Sequence, residues 1–322
     1  MITGLAFSVP KKKMTNADFE KIVDTTDEWI TERTGMKVRY IGEEGQVTSD
    51  ICTEAAQKAI AEAGISPLDI DIIILGTITG DVGFPATACF VQDKLGAENA
   101  AAFDISAACS GFLYGLTIAD AFISTGMYKN ILVMGGEMLS RIIDYTDRRT
   151  CVLFGDGAGA AIVQPSDGNR GIIKSIIRSD GRLAELLIRP GCGSKYPASQ
   201  EMIDKKLHFL QMAGQEVFKA AVKSMGDVAV DILEQTQLTS EELALLVPHQ
   251  ANHRIISALA KRIKMPMEKV FINVERYGNT SAATIPIAMT EARDEGKLKR
   301  DDYCLLVSFG GGFTVGAVLL KY

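Results

Sequence analysis

A chain of 322 residues, 47% of them hydrophobic and 23% charged, is folded and globular, and its length points to two domains or one duplicated fold. Its net charge of −6 gives no global reason to expect nucleic acid or an acidic membrane surface, so an acidic partner has to be met by a local patch. Six cysteines without CxxC spacing and only three histidines argue for a reducing compartment and against a zinc site.

At the N-terminus a short apolar run precedes its lysines, unlike a signal peptide, and no charge-free apolar run reaches the roughly 18 residues of a membrane span. A soluble cytoplasmic protein is expected. Residues 2–8 read as a strand, followed by helix starts at Thr15 and near Asp27. The segment DEWITERTG holds the only tryptophan, and Arg33 lies one helical turn beyond Trp29 on the same face. An aromatic plate beside a guanidinium suits a nucleotide base and its phosphates, although a packed tryptophan next to a solvated charge has the same spacing. An amphipathic helix over 49–63 ends at Gly64, a buried strand spans 71–78, and 85–95 is a helix with Phe84 exposed at its entrance.

The stretch FDISAACSGFLYGLTIADAFISTG, 103–126, follows. It reads as the end of a buried strand, 101–105, running into a helix that is apolar all round and stops at Gly126. Cys109 stands at the junction among Ala107, Ala108, Ser110 and Gly111. Unpaired N–H groups and the helix dipole favour an anion there, so a lowered pKa and a nucleophilic thiolate are expected. Free cysteine is more often a small buried hydrophobe, and that reading is kept for Cys52, Cys89, Cys151, Cys192 and Cys304. Around Cys109 the small side chains leave space that a packing cysteine does not need.

Next come a strand over 131–136, a loop with Asp147, Arg148 and Arg149, and a glycine-broken strand over 151–163 that admits a neighbouring backbone. The linker 164–171, with Pro165, Ser166, Asp167, Gly168 and Asn169, divides the chain into 1–170 and 171–322. Strand-like 172–177 and 185–188 precede a loop over 190–200 suited to a mobile cover, and 206–234 reads as mostly helical.

The first half then returns. A strand over 243–247 answers 71–78, a helix over 252–263 answers 85–95, and YGNTSAA from Tyr277 opens a small-residue helix as Cys109 does. A strand over 303–308 and FGGGFTVGAVLL, answering FGDGAGAAIV, complete a βαβαββ unit written twice, so two sheets should pack about a pseudo-twofold, with Cys109 and Asn279 starting matching helices. His249, in LVPHQAN, sits at the C-terminal end of a strand, where α/β sheets place ligands, and Gly310, Gly311 and Gly312 offer N–H groups to an oxygen anion. The order Cys, His, Asn also describes papain-like proteases, but the thiol lacks that family's local context. An α/β-hydrolase would want a glycine where Ala107 stands.

At this level of detail the chain closely resembles the β-ketoacyl-acyl-carrier-protein synthase III family of the thiolase superfamily, through DEWITERTG, GFPATACFVQ, DISAACSGF, DYTDR, FGDGAGAA, VPHQANHRI, YGNTSAA and FGGGF. The resemblance covers essentially the whole length. It implies a duplicated thiolase-like α/β fold, layered α-β-α-β-α. It implies an acyltransferase in which Cys109 takes an acyl group from acyl-coenzyme A, with the oxyanion held by the N–H groups of Cys109 and Gly311. His249 and Asn279 would then hold the malonyl carbonyl during decarboxylation. Trp29 and Arg148 would sandwich the adenine, Arg33 would meet phosphates and Asn252 would line the pantetheine tunnel. Phe84 would cross a homodimer interface to close the partner's acyl pocket, with Leu139 and Phe154 among its walls. No cofactor is implied, since acyl-coenzyme A is a substrate. Val315 stands where some members carry tryptophan, beyond the oxyanion glycines. The alternative is a related acyltransferase or condensing enzyme of secondary metabolism.

The family's second substrate rides on a small acidic carrier protein. Arg254, Lys261, Arg262 and Lys264, in a stretch from His249 free of carboxylates, are therefore the expected docking patch, against the plainer reading of a solvated helix face.

Overall fold

The computed structural model describes every residue except Asp167, which falls in the linker expected over 164–171. The first sheet holds β1 (Ile2–Ser8), β2 (Ile72–Gly76), β3 (Ala101–Ile105), β4 (Ile131–Glu137) and β5 (Gly157–Val163), in spatial order β1-β5-β4-β2-β3. The second holds β6 (Gly171–Ser179), β7 (Leu245–Pro248), β8 (Tyr303–Gly310) and β9 (Thr314–Lys321), in order β6-β9-β8-β7. In both sheets the last-formed strand runs antiparallel to its two neighbours, while the crossover strands pair in parallel. The second sheet therefore repeats the first, as expected.

Among the described residues, seven helices of eight residues or more complete the frame: α1 (Asp27–Thr34), α2 (Thr48–Ala63), α3 (Thr87–Leu95), α4 (Gly111–Ser124), α5 (Gly214–Thr236), α6 (His253–Arg262) and α7 (Thr284–Asp294). Strand β2 shows why its sequence is apolar without alternation: both faces are covered. Ile72 and Ile74 point inward to Phe112 and Leu116 of α4, while Ile73 and Leu75 point outward to Ile51 and Ala55 of α2. The central cluster takes α4 and α7 together with Val133 of the first sheet and Val247 and Leu306 of the second. Helices α5 and α6 cover the outer face of the second sheet. The order across the molecule is α-β-α-β-α, and the burial of α4 between sheets explains its apolar circumference.

The copies differ at one edge. Strand β3 has no full counterpart, because only a single bridge joins Leu246 to Val270. The Gln250 side chain takes over there, donating to Phe271 O and accepting from Asn273 N–H, so the backbone groups are satisfied without a ladder. The helix expected from 206 starts only at Gly214, since Gln211–Met212 pairs with Leu187–Ile188 instead. The helix start at Thr15 yields a single turn, Asn16–Phe19.

At the centre two corners face each other. A tight turn over Ala108–Ser110 leads into α4, and an equivalent turn over Ser281–Ala283 leads into α7. Each begins with a non-glycine residue in the left-handed region, Ala108 at φ 45° and Ser281 at φ 52°. This conformation persists only where surrounding packing enforces it. The turns align Cys109 with Ala282, so Asn279 is not its positional twin, as the sequence pattern implied, but lies three residues earlier in the copy. Glycine is what lets the second corner sit against the first sheet: a Cβ on Gly135 of β4 would stand 2.2 Å from Ala282 O. Gly135→Ala should therefore lower unfolding free energy by about 1–3 kcal/mol in urea titration, while Gly181→Ala, in open space, should change it by less than about 0.5 kcal/mol.

Candidate active site

The Cys109 corner is clamped by the second sheet. Ser308 Oγ donates to Cys109 O at 2.6 Å, and Thr314 Oγ1 donates to Ala107 O at 2.8 Å. A side chain on Gly310 would stand 2.6 Å from the Cys109 nitrogen, so the glycine triplet brings bare backbone against the nucleophile. Gly311 lines a cavity with Cys109, Leu139, Phe154 and Ser281. A second cavity, on the other side of Cys109, is lined by His249, Asn279, Asn252, Phe154 and Phe218. The thiol faces both.

His249 follows β7 directly, its N–H bonded to Val307 O at 2.8 Å. It is 2% exposed and has no carboxylate partner, so burial pushes its pKa down to about 3 and the ring is neutral. Its Nδ1 lies 2.6 Å from Thr284 Oγ1, which also lies 3.0 Å from Ser281 O. The hydroxyl has one proton, and its destination decides which imidazole nitrogen carries hydrogen. When Thr284 donates to Nδ1, Nε2 is an N–H donor. Asn279 Oδ1 accepts from Ser281 N–H at 2.8 Å, which leaves the amide NH2 as its free end.

One expectation is overturned. Cys109 was expected to have a lowered pKa at a helix start. Instead, burial pushes the thiol up to about 12, because desolvation of a thiolate outweighs the hydrogen bond from Ser281. The corner turn also sets Cys109 ahead of α4, which begins at Gly111.

Sequence reasoning missed Glu137, Ser281 and Thr284. Glu137 is fully buried and receives bonds from Thr77 Oγ1, Thr79 Oγ1, the Ile78 N–H and Ser281 Oγ. Burial raises its pKa to about 7. A carboxylate closing an otherwise apolar buried strand, Ile131–Glu137, was the available signal.

At the surface, the guanidinium carbons of Arg33 and Arg148 lie 5.0 and 5.4 Å from the Trp29 ring centroid. Asn252 Nδ2 donates to Arg33 O at 3.0 Å, and its Oδ1 caps α6 by accepting from Arg254 N–H. These four residues form one cluster beside the cavity that Asn252 lines. Phe84 stands apart, 89% exposed. In the basic patch, Arg254 is 5.7 Å from the ring of Phe218, a cavity wall, whereas Arg262 pairs with Asp227 at 3.1 Å. Lys261 is two turns along α6 and Lys264 lies beyond its end.

Two family profiles, described as 3-Oxoacyl-[acyl-carrier-protein (ACP)] synthase III and its C terminal, match residues 103–181 and 233–322. The chain is 52% identical over 321 residues to the beta-ketoacyl-[acyl-carrier-protein] synthase III of Caldanaerobacter subterraneus, covering 100% of this chain and 97% of that one. The crystal structure of 3-oxoacyl-[acyl-carrier-protein] synthase III from Aquifex aeolicus superposes with TM-score 0.93 at 50% identity, covering 100% and 99% of the two chains. A priming beta-ketosynthase of the R1128 polyketide pathway superposes with TM-score 0.91 at 33% identity, covering 99% and 95%.

Burying a neutral imidazole has a stability consequence. The folded value of about 3 lies below the unfolded value of 6.5, so between them the unfolded chain binds the extra proton and stability is lost as pH falls. Between pH 6 and 4 the native protein should lose about 2–3 kcal/mol more than His249→Gln, read from paired urea titrations.

Proposed function

The chain belongs to the β-ketoacyl-[acyl-carrier-protein] synthase III family, and from that membership we propose how its residues divide the work. It is an acyltransferase of the thiolase fold that initiates fatty-acid synthesis, condensing an acyl-coenzyme A primer with malonyl carrier protein and releasing carbon dioxide. The observation that carries the assignment of roles is the convergence of one thiol, one neutral imidazole and one amide on a single cavity.

Cys109 Sγ attacks the primer thioester, and the tetrahedral oxyanion is met by the N–H groups of Cys109 and Gly311. Coenzyme A leaves, and the acyl chain lies between Leu139 and Phe154. The malonyl thioester then enters the His249 side. Nε2–H of His249 and the Asn279 amide hold its carbonyl oxygen, so the electrons released with carbon dioxide collect as an enolate. The enolate carbon attacks the acyl thioester and frees Cys109. No cofactor is required in this scheme, since the donors carry the charge.

For coenzyme A, Trp29 and Arg148 flank the adenine, Arg33 meets phosphate and Asn252 marks the pantetheine passage. Their clustering beside the catalytic cavity supports this reading. Arg254 is the docking residue nearest the mouth; Lys261 extends the patch, Lys264 lies at its far edge, and Arg262 is partly neutralised by Asp227. An aromatic ring as exposed as Phe84 suits burial in a homodimer, where it would close the partner's acyl pocket. The stretches 1–170 and 171–322 are two halves of one condensing unit, working in the cytoplasm; among the described residues no helix is long and apolar enough to cross a membrane. The primer's chain length is a matter of acyl-pocket volume, which a scan of acyl-coenzyme A thioesters against malonyl carrier protein measures by product mass.

Cys109→Ser should abolish the acyl adduct seen by intact-protein mass, while His249→Ala and Asn279→Ala should keep the adduct and lose decarboxylation by about 100-fold or more. Loss of the adduct in His249→Ala would make that residue a base for the thiol instead. Arg254→Glu should raise the apparent KM for malonyl carrier protein several-fold and flatten its salt dependence, with self-acylation unchanged. Unaltered carrier kinetics would move the docking surface to Lys219 and Lys223 on α5.

A further inference from the structure

The mechanism above leaves the thiol proton without a destination. His249 bonds through Nδ1 to Thr284, and its other nitrogen is assigned to the malonyl carbonyl as a donor. A hydroxyl bound to a carboxylate lies in the wall of a cavity that Cys109 also lines. The hydroxyl is that of Ser281, and its Oγ donates to Glu137 Oε1 at 3.1 Å.

The surroundings of Glu137 fit a group that gains and loses a proton in place. Among the described residues no cation pairs with it, and its bonds to Thr77, Thr79 and the Ile78 N–H hold it in one position. The titratable groups facing it are Cys109 from the corner, Cys52 from α2 and, through Ser281 and Thr284, His249. Cys52 is fully buried, its pKa is raised well above the usual thiol value by burial, and it stays protonated through neutral pH. A carboxyl stabilised only by neutral donors exchanges a proton without breaking an ion pair.

We propose that Ser281 and Glu137 form a proton relay for Cys109, taking the thiol proton during acylation and returning it after condensation. The inference rests on the acyl-cysteine reading. As Sγ bonds to the acyl carbon, the S–H proton passes to Ser281 Oγ while the serine proton moves to Glu137 Oε1. Coenzyme A departs as thiolate and takes a proton from solvent. In the second half-reaction carbon dioxide leaves, the enolate carbon bonds to the acyl carbon and the C–Sγ bond breaks. The proton held on Glu137 then returns through Ser281 to Cys109. One solvent proton is consumed per turnover, as the decarboxylation requires. Ser281 meets the reacting sulfur; Glu137 acts through it and is a positioning residue.

The test is single-turnover self-acylation across pH 5.5–9, with iodoacetamide alkylation of Cys109 over the same range. The wild-type acylation rate should rise through a limb near the Glu137 value of about 7. Glu137→Gln, which keeps the shape but removes the titrating oxygen and puts an NH2 donor in place of one acceptor, should be slowed by about 100-fold at neutral pH and lose that limb in both assays, while Glu137→Asp should retain the limb. Ser281→Ala leaves Glu137 held by its other donors and should show the same loss, which keeps the idea testable if Glu137→Gln does not fold. Wild-type rate and pH profile in Glu137→Gln, or in Ser281→Ala, would overturn the relay. Failure of the wild-type protein to acylate at Cys109 would overturn the acyl-cysteine reading instead, and the two failures are distinct.

Discussion

The contact between the two central corners is the constraint on which the rest depends. Ala108 and Ser281 each sit at positive φ without being glycine, a conformation that costs about 1–3 kcal/mol per residue and must be imposed from outside. The imposing contacts come from the opposite half of the chain. Ser308 and Thr314 of the second sheet hold the Cys109 corner, while Gly135 of the first sheet admits the Ala282 corner against its backbone. Each half thus shapes the corner contributed by the other. Helices α4 and α7 are buried in one shared core because the turns that start them are joined in this way.

Burial then decides the chemistry. With these side chains buried, neutral forms dominate: the imidazole of His249 is unprotonated, the thiol of Cys109 retains its proton, and Glu137 sits near balance. Burial strengthens each hydrogen bond that such neutral groups make to an incoming carbonyl. It also means that nucleophilicity has to be generated at the moment of reaction rather than stored in a resting thiolate. The helix dipole that the sequence suggested as the activator is outweighed by desolvation.

Much of this was legible in the residues. The unbroken apolar run of Ile72–Gly76, the small-residue corner at Cys109 and the repetition of FGDGAGAA as FGGGF each follow from local rules about faces, turns and close approach. The pairing of Trp29 with Arg33 was readable because four residues make a helical turn. Glu137 was marked only as a carboxylate closing an apolar strand, and Ser281 and Thr284 were not readable, because their meaning lies in partners more than thirty residues away, or in a turn that looks like any run of small residues. The missing counterpart of β3 was equally unreadable: Gln250 substitutes side-chain bonds for backbone pairing, which no periodicity records. The thiol pKa failed because local geometry gives the dipole but not the depth of burial.

The alignment of Cys109 with Ala282 carries a last consequence. A doubled fold has two places where a nucleophile could stand, and this molecule uses one. At the vacant place Ala282 is 1% exposed and its carbonyl lies against Gly135, so no substrate could reach a thiol there. The residue just before it, Ser281, turns toward Glu137, and Asn279 and Thr284 on either side support the donors. The spare corner is the tool rest for the working one. It carries no nucleophile of its own, and symmetry survives in the backbone while labour is divided in the side chains.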